Sequence, residues 1–300
     1  MLSDARQVVF KLDIEGFSHD LQVLEFHVRE ALNQPYEVKL ELVSERPDLD
    51  LESLLHRPAF LRFGPDGAGI HGQVHQIAQG DSGKRLTRYQ MTLVPQLAYH
   101  THCHNQRIFQ HLSVPQIIAS VLKDQGMQPD TWRFQLNAEY RPRLYCVQYE
   151  TGLHFLQRLC EEEGLHFHFE HSPDGHVLVF GDDQTSFAKP SQSTAYRPGS
   201  GMVAEAPVVD RFKLRLETRP THVSRRDYDF EKPRLKLESE AKNPLLPHLE
   251  DYGFPGQFTH RERGKHLANR ALERHRADYR QADGRSDQAS RCLMCEAAKA

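Results

Sequence analysis

The chain has 300 residues, which is enough for one large domain or for two smaller domains that each have a core. Hydrophobic residues make up 38% and charged residues 26% of the chain, a balance that is typical of folded proteins and argues against disorder. A formal net charge of −3 gives no reason to expect a nucleic-acid or membrane partner, and no apolar run approaches the roughly 20 residues of a transmembrane helix.

The N-terminal segment does not resemble a secretory signal peptide. Its first residues include Asp4, Asp13 and Glu15 and contain no apolar core segment. The cysteines lack the regular spacing of a disulfide framework, which predicts reduced thiols. They are Cys103, Cys146, Cys160, Cys292 and Cys295. We therefore expect a cytoplasmic protein whose export, if it occurs, uses another route.

Residues 1–98 predict a first domain built from short strands. Phe10, Leu12 and Ile14 alternate with charged residues, a period of two that places one face of a strand in a core. The later features are the alternations Leu24-Phe26-Val28 and Tyr36-Val38-Leu40-Leu42, an amphipathic segment at 51–55, the turn Pro65-Asp66-Gly67, and strands at 59–63, 70–77 and 89–94. Short strands separated by turns predict a small antiparallel β-barrel.

Residues 99–188 predict an insert that begins with two helices. Ser113 and Gln116 match a capping box, and Gly126 is placed to end the helix that follows. The second helix is predicted from about Thr151 to Glu163.

A hairpin is predicted at residues 165–180, directly after the second helix. Phe167 and Phe169 alternate with His166 and His168. We expect the two phenylalanines to face a core, which leaves the two histidines on the outer face of the strand.

The remainder of the chain predicts a second small β-barrel domain at 189–250 and a helical C-terminal region at 251–300. The boundary is placed in the segment 189–201, which is rich in proline and glycine. The predicted strands lie at 211–217, near Tyr228 and at 235–238, and Phe212, Leu214 and Leu216 alternate with charges in the first of them. A last helix is predicted from Thr259, with Glu262 completing a capping box, to about Asp278. The fold class is therefore α+β and β-rich, with two small β-barrel domains and a helical insert.

Two histidine clusters and one cysteine pair are candidate metal or redox sites. His100, His102 and His104 surround Cys103, and soft nitrogen and sulfur donors at this spacing bind zinc or copper. A solvated strand edge explains the same pattern and is the favoured interpretation, because alternate residues of a strand share a face. His166, His168 and His171 form a weaker candidate, and Cys292 and Cys295 form a single C-x-x-C near the chain end.

One group of carboxylates is a candidate catalytic site. Glu161, Glu162 and Glu163 with Asp182 and Asp183 contain the residue types that glycoside hydrolysis needs. A solvated helix end and loop are favoured, because most charge runs are simply solvated. The sequence also lacks the common nucleotide-binding, zinc-protease and serine-hydrolase motifs. We assign no catalytic, cofactor-binding or metal-ligating residue and expect a protein that is not an enzyme.

The predicted last helix is basic. A nucleic-acid site is one interpretation of this charge, but no aromatic residues are interleaved for base stacking. We favour a protein partner or solvent exposure. The basic residues are Arg261, Arg263, Lys265, Arg270, Arg274, Arg276 and Arg280.

Three ordered motifs resemble those of the VgrG family of type VI secretion spike proteins. The first is RIFQ at 107–110 followed by LSVPQII at 112–118, and the second is YCVQYE at 145–150 followed by FLQRLCEEEG at 155–164. The third is DYGFPG at 251–256. Their order and spacing fit the family from about Val8 to Asp278.

The resemblance implies a fold similar to that of the contractile-phage tail hub. It implies a homotrimer whose six barrels form a pseudo-hexagonal ring that matches the hexameric Hcp tube, a role that needs no catalytic residue. Open strand edges agree with such assembly, because unpaired edges need a neighbouring chain or a cover. It further implies effector or adaptor proteins as partners, and secretion through the type VI apparatus.

The family normally continues into an OB-fold and a long β-helical needle. This sequence ends at residue 300, and residues 291–300 match nothing expected at the start of those parts, so we expect a chain truncated before them. Two alternatives remain open at this point. One is the hub of a contractile phage or phage-derived tail, and the other is a secreted cell-wall hydrolase that uses the carboxylates named above.

Overall fold

The computed structural model describes residues 10–63, 68–187, 194–197 and 208–286. These residues form two compact units. The first unit contains residues 10–158 and 165–187, and the second contains 159–164, 194–197 and 208–286. The division of the sequence into four domains stays a prediction.

The first unit is built on one six-stranded antiparallel sheet. Its strands are β1 (Lys11–Ile14), β2 (Gln22–Arg29), β3 (Glu37–Ser44), β4 (Pro58–Arg62), β5 (Gly69–Ser82) and β6 (Thr87–Val94). The spatial order is β1-β4-β5-β6-β3-β2. The sheet curls so that its two edges approach each other, and the ring of Phe10 meets that of Phe26 edge-on at 4.9 Å between centroids.

Alternating apolar side chains of these strands form the core, as the sequence predicts. Val38, Leu40 and Leu42 of β3 are all at most 2% exposed. The prediction is wrong for Leu24, which is 50% exposed. A β-bulge between Val23 and Glu25 shifts the register of β2 and β3, so the alternation of faces breaks at this residue. The predicted turn Pro65-Asp66-Gly67 lies outside the described residues.

The rest of the first unit contains the predicted helices and hairpin. Its elements are β7 (Arg107–Leu112), α1 (Val114–Asp124), β8 (Trp132–Gln135), β9 (Arg143–Gln148), the first part of α2 (Gly152–Glu163), β10 (His166–Ser172) and β11 (Gly175–Gly181). Residues 159–163 of α2 belong to the second unit. Strands β7 and β9 form a two-stranded antiparallel ribbon, and β8 lies parallel to β11 of the hairpin. The backbone N–H of Ser113 donates to Oε1 of Gln116 at 2.9 Å, which confirms the predicted start of α1. Gly126 has a φ of +81°, as its place after α1 requires.

The second unit has two three-stranded sheets and one long helix. Its elements are β12 (Ala195–Tyr196), β13 (Val208–Leu216), β14 (His222–Asp227), β15 (Leu237–Lys242), β16 (Glu250–Gly253), α3 (Arg261–Tyr279) and β17 (Arg280–Ser286). The strand orders are β12-β13-β17 and β15-β14-β16. Helix α3 packs on β14 and β15 around Val223, Ala241, Ala268 and Leu272.

Helix α3 begins later than the sequence predicts. Its N-cap is His260, whose side chain makes no capping hydrogen bond, so the capping box expected from Thr259 and Glu262 is wrong. The buried Phe258 explains the shift: its backbone N–H donates to Oδ2 of Asp227 at 2.9 Å, which fixes the chain just before the helix. No helix in the described part of the chain is long and apolar enough to cross a membrane.

Candidate functional site

The histidines around Cys103 do not form a strand edge. His100 belongs to a short 3-10 helix at Gln96–Thr101 and is only 3% exposed, whereas His102, Cys103 and His104 are exposed. Burial lowers the pKa of His100 to about 4, so the ring is neutral near pH 7. Within the described ranges, no group of three or more His, Cys, Asp or Glu residues is arranged to hold a metal ion.

The histidines of the hairpin differ from expectation in one respect. His168 is 3% exposed, so its predicted outward position is wrong. The chain after β11 covers this part of β10, and the ring of Phe187 lies 4.9 Å from that of His168. His166 places Nε2 2.8 Å from Oγ of Ser186, and that hydroxyl donates to the backbone carbonyl of Asp183. Cys292 and Cys295 lie outside the described residues.

Glu161 and Glu163 of the glutamate run form ion pairs inside the second unit. Glu163, whose side chain is 9% exposed, accepts a hydrogen bond from Arg263 at 2.8 Å and lies 3.4 Å from Nε2 of His266. Glu161 pairs with Arg274. The interpretation of this run as a solvated helix end is therefore wrong for Glu163, and Arg263 and Arg274 of the basic helix pair with this run.

The two aspartates of the carboxylate group lie in the first unit and cap local backbone. Asp182 accepts hydrogen bonds from the backbone of Asn137 and Ala138 at 3.0 and 2.8 Å and from the Tyr140 hydroxyl at 3.1 Å. Burial alone would raise the pKa of Asp182, but these hydrogen bonds lower it overall. A general acid of glycoside hydrolysis needs a raised pKa, whereas the pKa of Asp182 is lowered, so its surroundings do not suit that role.

A different feature, exposed apolar surface on strands, suggests where this chain meets other molecules. The β7–β9 ribbon has two unlike faces. Phe109 and Cys146 pair across the strands and are buried, whereas Ile108 and Tyr145 are 68% and 63% exposed on the other face. We call the exposed residues Ile108 and Tyr145 the ribbon patch.

Strand β13 carries a second exposed apolar strip. Phe212, Leu214 and Leu216 share one face and are 52%, 48% and 60% exposed. Phe212 and Leu214 lie opposite Gly284 and Ala282 of β17, and neither a hydrogen atom nor a methyl group covers the strip. We call Phe212, Leu214 and Leu216 the β13 patch. The alternation in the sequence located this strand, but alternation alone does not show whether the apolar face meets a core of the same chain or a partner.

A third apolar area lies on the β15-β14-β16 sheet, away from α3. Tyr252 and Phe254 are 55% and 61% exposed, and the side chain of Arg226 lies over the ring of Tyr252 at 6.0 Å. The alternate residue Asp251 points to the helix side, where it binds Arg225 and His275. One face of this sheet is thus packed against α3, and the other is exposed and carries the ion pair of Arg226 and Glu238 beside Tyr252.

Comparison with known proteins gives a consistent result. A family model described as phage tail baseplate hub (GPD) matches residues 29–297. The type VI secretion system spike proteins VgrG4b and VgrG5 of Pseudomonas aeruginosa are 59% and 58% identical over 293 and 294 residues. These alignments cover 96% of this chain but only 36% and 37% of the relatives, so the chain spans little more than a third of their length.

Solved structures agree with the sequence comparisons. An E. coli type VI secretion component, the c3393 protein, matches 69% of this chain and 56% of its own with a TM-score of 0.62 and 26% identity. A tail protein of Neisseria meningitidis matches 91% of this chain and 78% of its own with the same TM-score, but its 14% identity shows the fold alone. The β-rich, hub-like fold and the resemblance to VgrG proteins expected from the sequence are confirmed.

Proposed function

We propose that this chain, which belongs to the phage tail baseplate hub (GPD) family, forms the base of a type VI secretion spike. In this proposal three copies assemble into a ring that stacks on the hexameric Hcp tube and takes part in effector delivery. The observation that carries it is the 59% identity to a type VI spike protein over 96% of the chain. Because the chain spans only 36% of that relative, the activities and partners of the whole spike protein are part of the proposal.

The exposed apolar strips support an assembly role. The ribbon patch and the β13 patch lie on strands, and both combine large apolar side chains with a buried or charged reverse face. Such surfaces in a folded protein commonly bind other proteins. In a ring of identical subunits, these exposed apolar surfaces are buried against neighbouring copies in the same way in every subunit.

The same proposal gives the chain no catalytic step. The carboxylates considered for hydrolysis are held by arginines in the second unit and by backbone N–H groups in the first. We further propose that the protein resides in the cytoplasm until the type VI secretion apparatus acts, and that it then leaves the cell through this apparatus.

A hub of a contractile phage tail is the second candidate. The match to the Neisseria tail protein favours the shared architecture, but its identity is only 14%. The spike relatives at 58% and 59% favour the type VI system. Binding to Hcp rather than to a phage tube protein separates the two candidates.

Co-sedimentation with preformed Hcp tubes tests the proposal. A spike base binds only tube ends, so at constant Hcp mass the amount of bound chain should rise in proportion to the number of ends when the tubes are sheared. Unsheared tubes from the same preparation are the matched control. Absence of binding, or binding that follows Hcp mass instead of the number of ends, would contradict the proposed role.

A further inference from the structure

Three histidines from three strands meet inside the first unit. His71 lies in β5, His171 in β10 and His176 in β11. His71 is 8% exposed, and the side chain of His171 is 1% exposed. The ring of Tyr36 lies 4.7 Å from that of His171 and 5.9 Å from that of His176. The cluster therefore joins the hairpin β10–β11 to the six-stranded sheet.

Hydrogen-bond partners assign the protons of two of these rings. The backbone N–H of Gln96 donates to Nε2 of His176 at 3.4 Å, so His176 carries its proton on Nδ1. That Nδ1 lies 3.0 Å from Nδ1 of His71, which must then accept. Each neutral ring thus uses one nitrogen as an acceptor. A second proton on either ring would place a donor against a donor.

The groups around this pair do little to stabilise a positive charge. Nδ1 of His171 lies 3.1 Å from the backbone nitrogen and 3.2 Å from the carbonyl oxygen of His71, so this ring can accept from one or donate to the other. Glu30 lies 3.9 Å from Nε2 of His171, not from the pair itself. Asp174, in the turn of the hairpin, favours the charged form of His71 only as the smallest of the influences on it.

We propose that His71 and His176 form an acid-sensitive latch, which fastens the β10–β11 hairpin to the sheet at neutral pH and releases it when the two rings are protonated. The latch depends on no ligand and is independent of the proposed spike function. Its physical basis is a direct contact between two imidazoles, which is attractive when both are neutral and repulsive when both are charged.

The direction of the pH dependence follows from the shifts. Burial, followed by the neighbouring histidine charges, lowers the pKa of His176 to about 3. Burial, with the charge of His171, lowers that of His71 to about 4 from the ordinary 6.5. The latched form is thus fully favoured above about pH 6.5, and this preference is lost as the pH falls toward 4, because the open form binds the protons. Protonation of one ring in the open form raises the equilibrium constant for opening by up to about tenfold for each unit by which the pH falls. Between pH 7.5 and pH 5.5, on either side of the ordinary pKa of 6.5, each ring contributes about tenfold and the two rings together about 100-fold.

Hydrogen–deuterium exchange of the full chain at pH 7.5 and pH 5.5 tests the latch. After correction for intrinsic exchange rates, protection of β10 and β11 should fall about 100-fold at the lower pH, while the protection of α1 changes far less. Equal protection of the hairpin at the two pH values would overturn the proposal.

Variants assign the effect to this pair, since His166 and His168 also lie on β10 and burial lowers their pKa values as well. The double variant His71→Asn, His176→Gln has no ring to protonate and should show less than about a tenfold change between the two pH values. The matched control His27→Gln removes an exposed histidine of β2 and should respond like the wild type. A double variant with the full wild-type response would overturn the latch.

A wild-type measurement covers the case in which the double variant does not fold. Imidazole nitrogen spectra of the intact protein follow each ring directly. Both rings should stay neutral while the hairpin is closed and gain protons only as it opens. Rings that titrate near pH 6.5 while β10 and β11 stay protected would contradict the proposal.

Discussion

Glu163 carries a carboxylate whose side chain is only 9% exposed, and Arg263 and His266 stand beside it. A charge at this depth is favourable only while its partners remain, because its hydration has been lost. The residue therefore links the end of α2 to α3 within the second unit by charge.

We predict that Glu163→Gln lowers the free energy of unfolding by about 1–3 kcal/mol, because the neutral amide leaves Arg263 without a charged partner. The matched control Glu161→Gln removes an ion pair of which both side chains are more than half exposed, and it should cost little. Urea denaturation followed by circular dichroism measures both. Equal losses of unfolding free energy for the two variants would show that the burial of Glu163 does not add to the stability of the protein.

Single residues were the hardest features to predict from the sequence. The alternation that placed Phe167 and Phe169 inside is confirmed, since both are at most 1% exposed. His168 is buried as well, because the segment that contains Phe187 covers the other face of β10. The pairing of Glu163 with Arg263 joins residues 100 positions apart, and no local pattern reveals such a contact.

At the scale of elements, α3 approaches its sheet closely at one glycine. A Cβ atom on Gly264 would lie 2.5 Å from Oγ of Ser239 on β15 and 2.5 Å from the ring of Phe258. Phe258 is 3% exposed and has little room to move. This position therefore sets how near the helix can pack to β15.

We predict opposite effects for two alanine substitutions in α3. Gly264→Ala should destabilise the protein by about 1–3 kcal/mol, because overpacking outweighs the gain of up to about 1 kcal/mol in helix propensity. Asn269→Ala, on the exposed face, should stabilise it by about 0.5 kcal/mol through propensity alone. Circular dichroism at 222 nm suits the measurement, since α3, with 19 residues, is the longest helix in the described part of the chain. A stabilising Gly264→Ala would contradict the close approach.

Elements with strong periodicity were predictable, and their irregular positions were not. Helix α1 begins at the predicted capping box because the hydrogen bond that fixes its start joins Ser113 and Gln116, which are only three residues apart. The bulge in β2 and the late start of α3 depend on partners distant in sequence, such as Asp227 for the segment before α3. The region around His100 forms a 3-10 helix rather than a strand, which alternation of polar residues could not show.

At the scale of the whole molecule, the β13 patch is the surface that we expect to contact a neighbouring subunit. Leu214→Lys places an ammonium group in the centre of this apolar strip, and burying it without a partner is costly. We predict that the variant raises the dissociation constant of the assembly at least about tenfold, which corresponds to about 1.4 kcal/mol.

The neighbouring Lys213→Gln is the matched control, because its side chain lies on the opposite face of the same strand. It should assemble like the wild type when both are followed by sedimentation velocity over a concentration series. If Leu214→Lys also assembles like the wild type, the β13 patch is not a subunit contact.

The fold class and family could be predicted from the sequence because three separate motifs keep their order, and all three lie inside the matched residues 29–297. The exposed apolar surfaces could not be predicted from the sequence. Phe212, Leu214 and Leu216 have the same pattern as a strand that faces a core, and only the structure shows that they are exposed.

The solution mass of the purified protein tests whether this chain forms the base of a type VI spike. Light scattering across a concentration series, with and without Hcp, gives that mass. We predict a trimer of the 34.7 kDa chain, formed alone or on addition of Hcp. A monomer that persists at high concentration and does not respond to Hcp would contradict it.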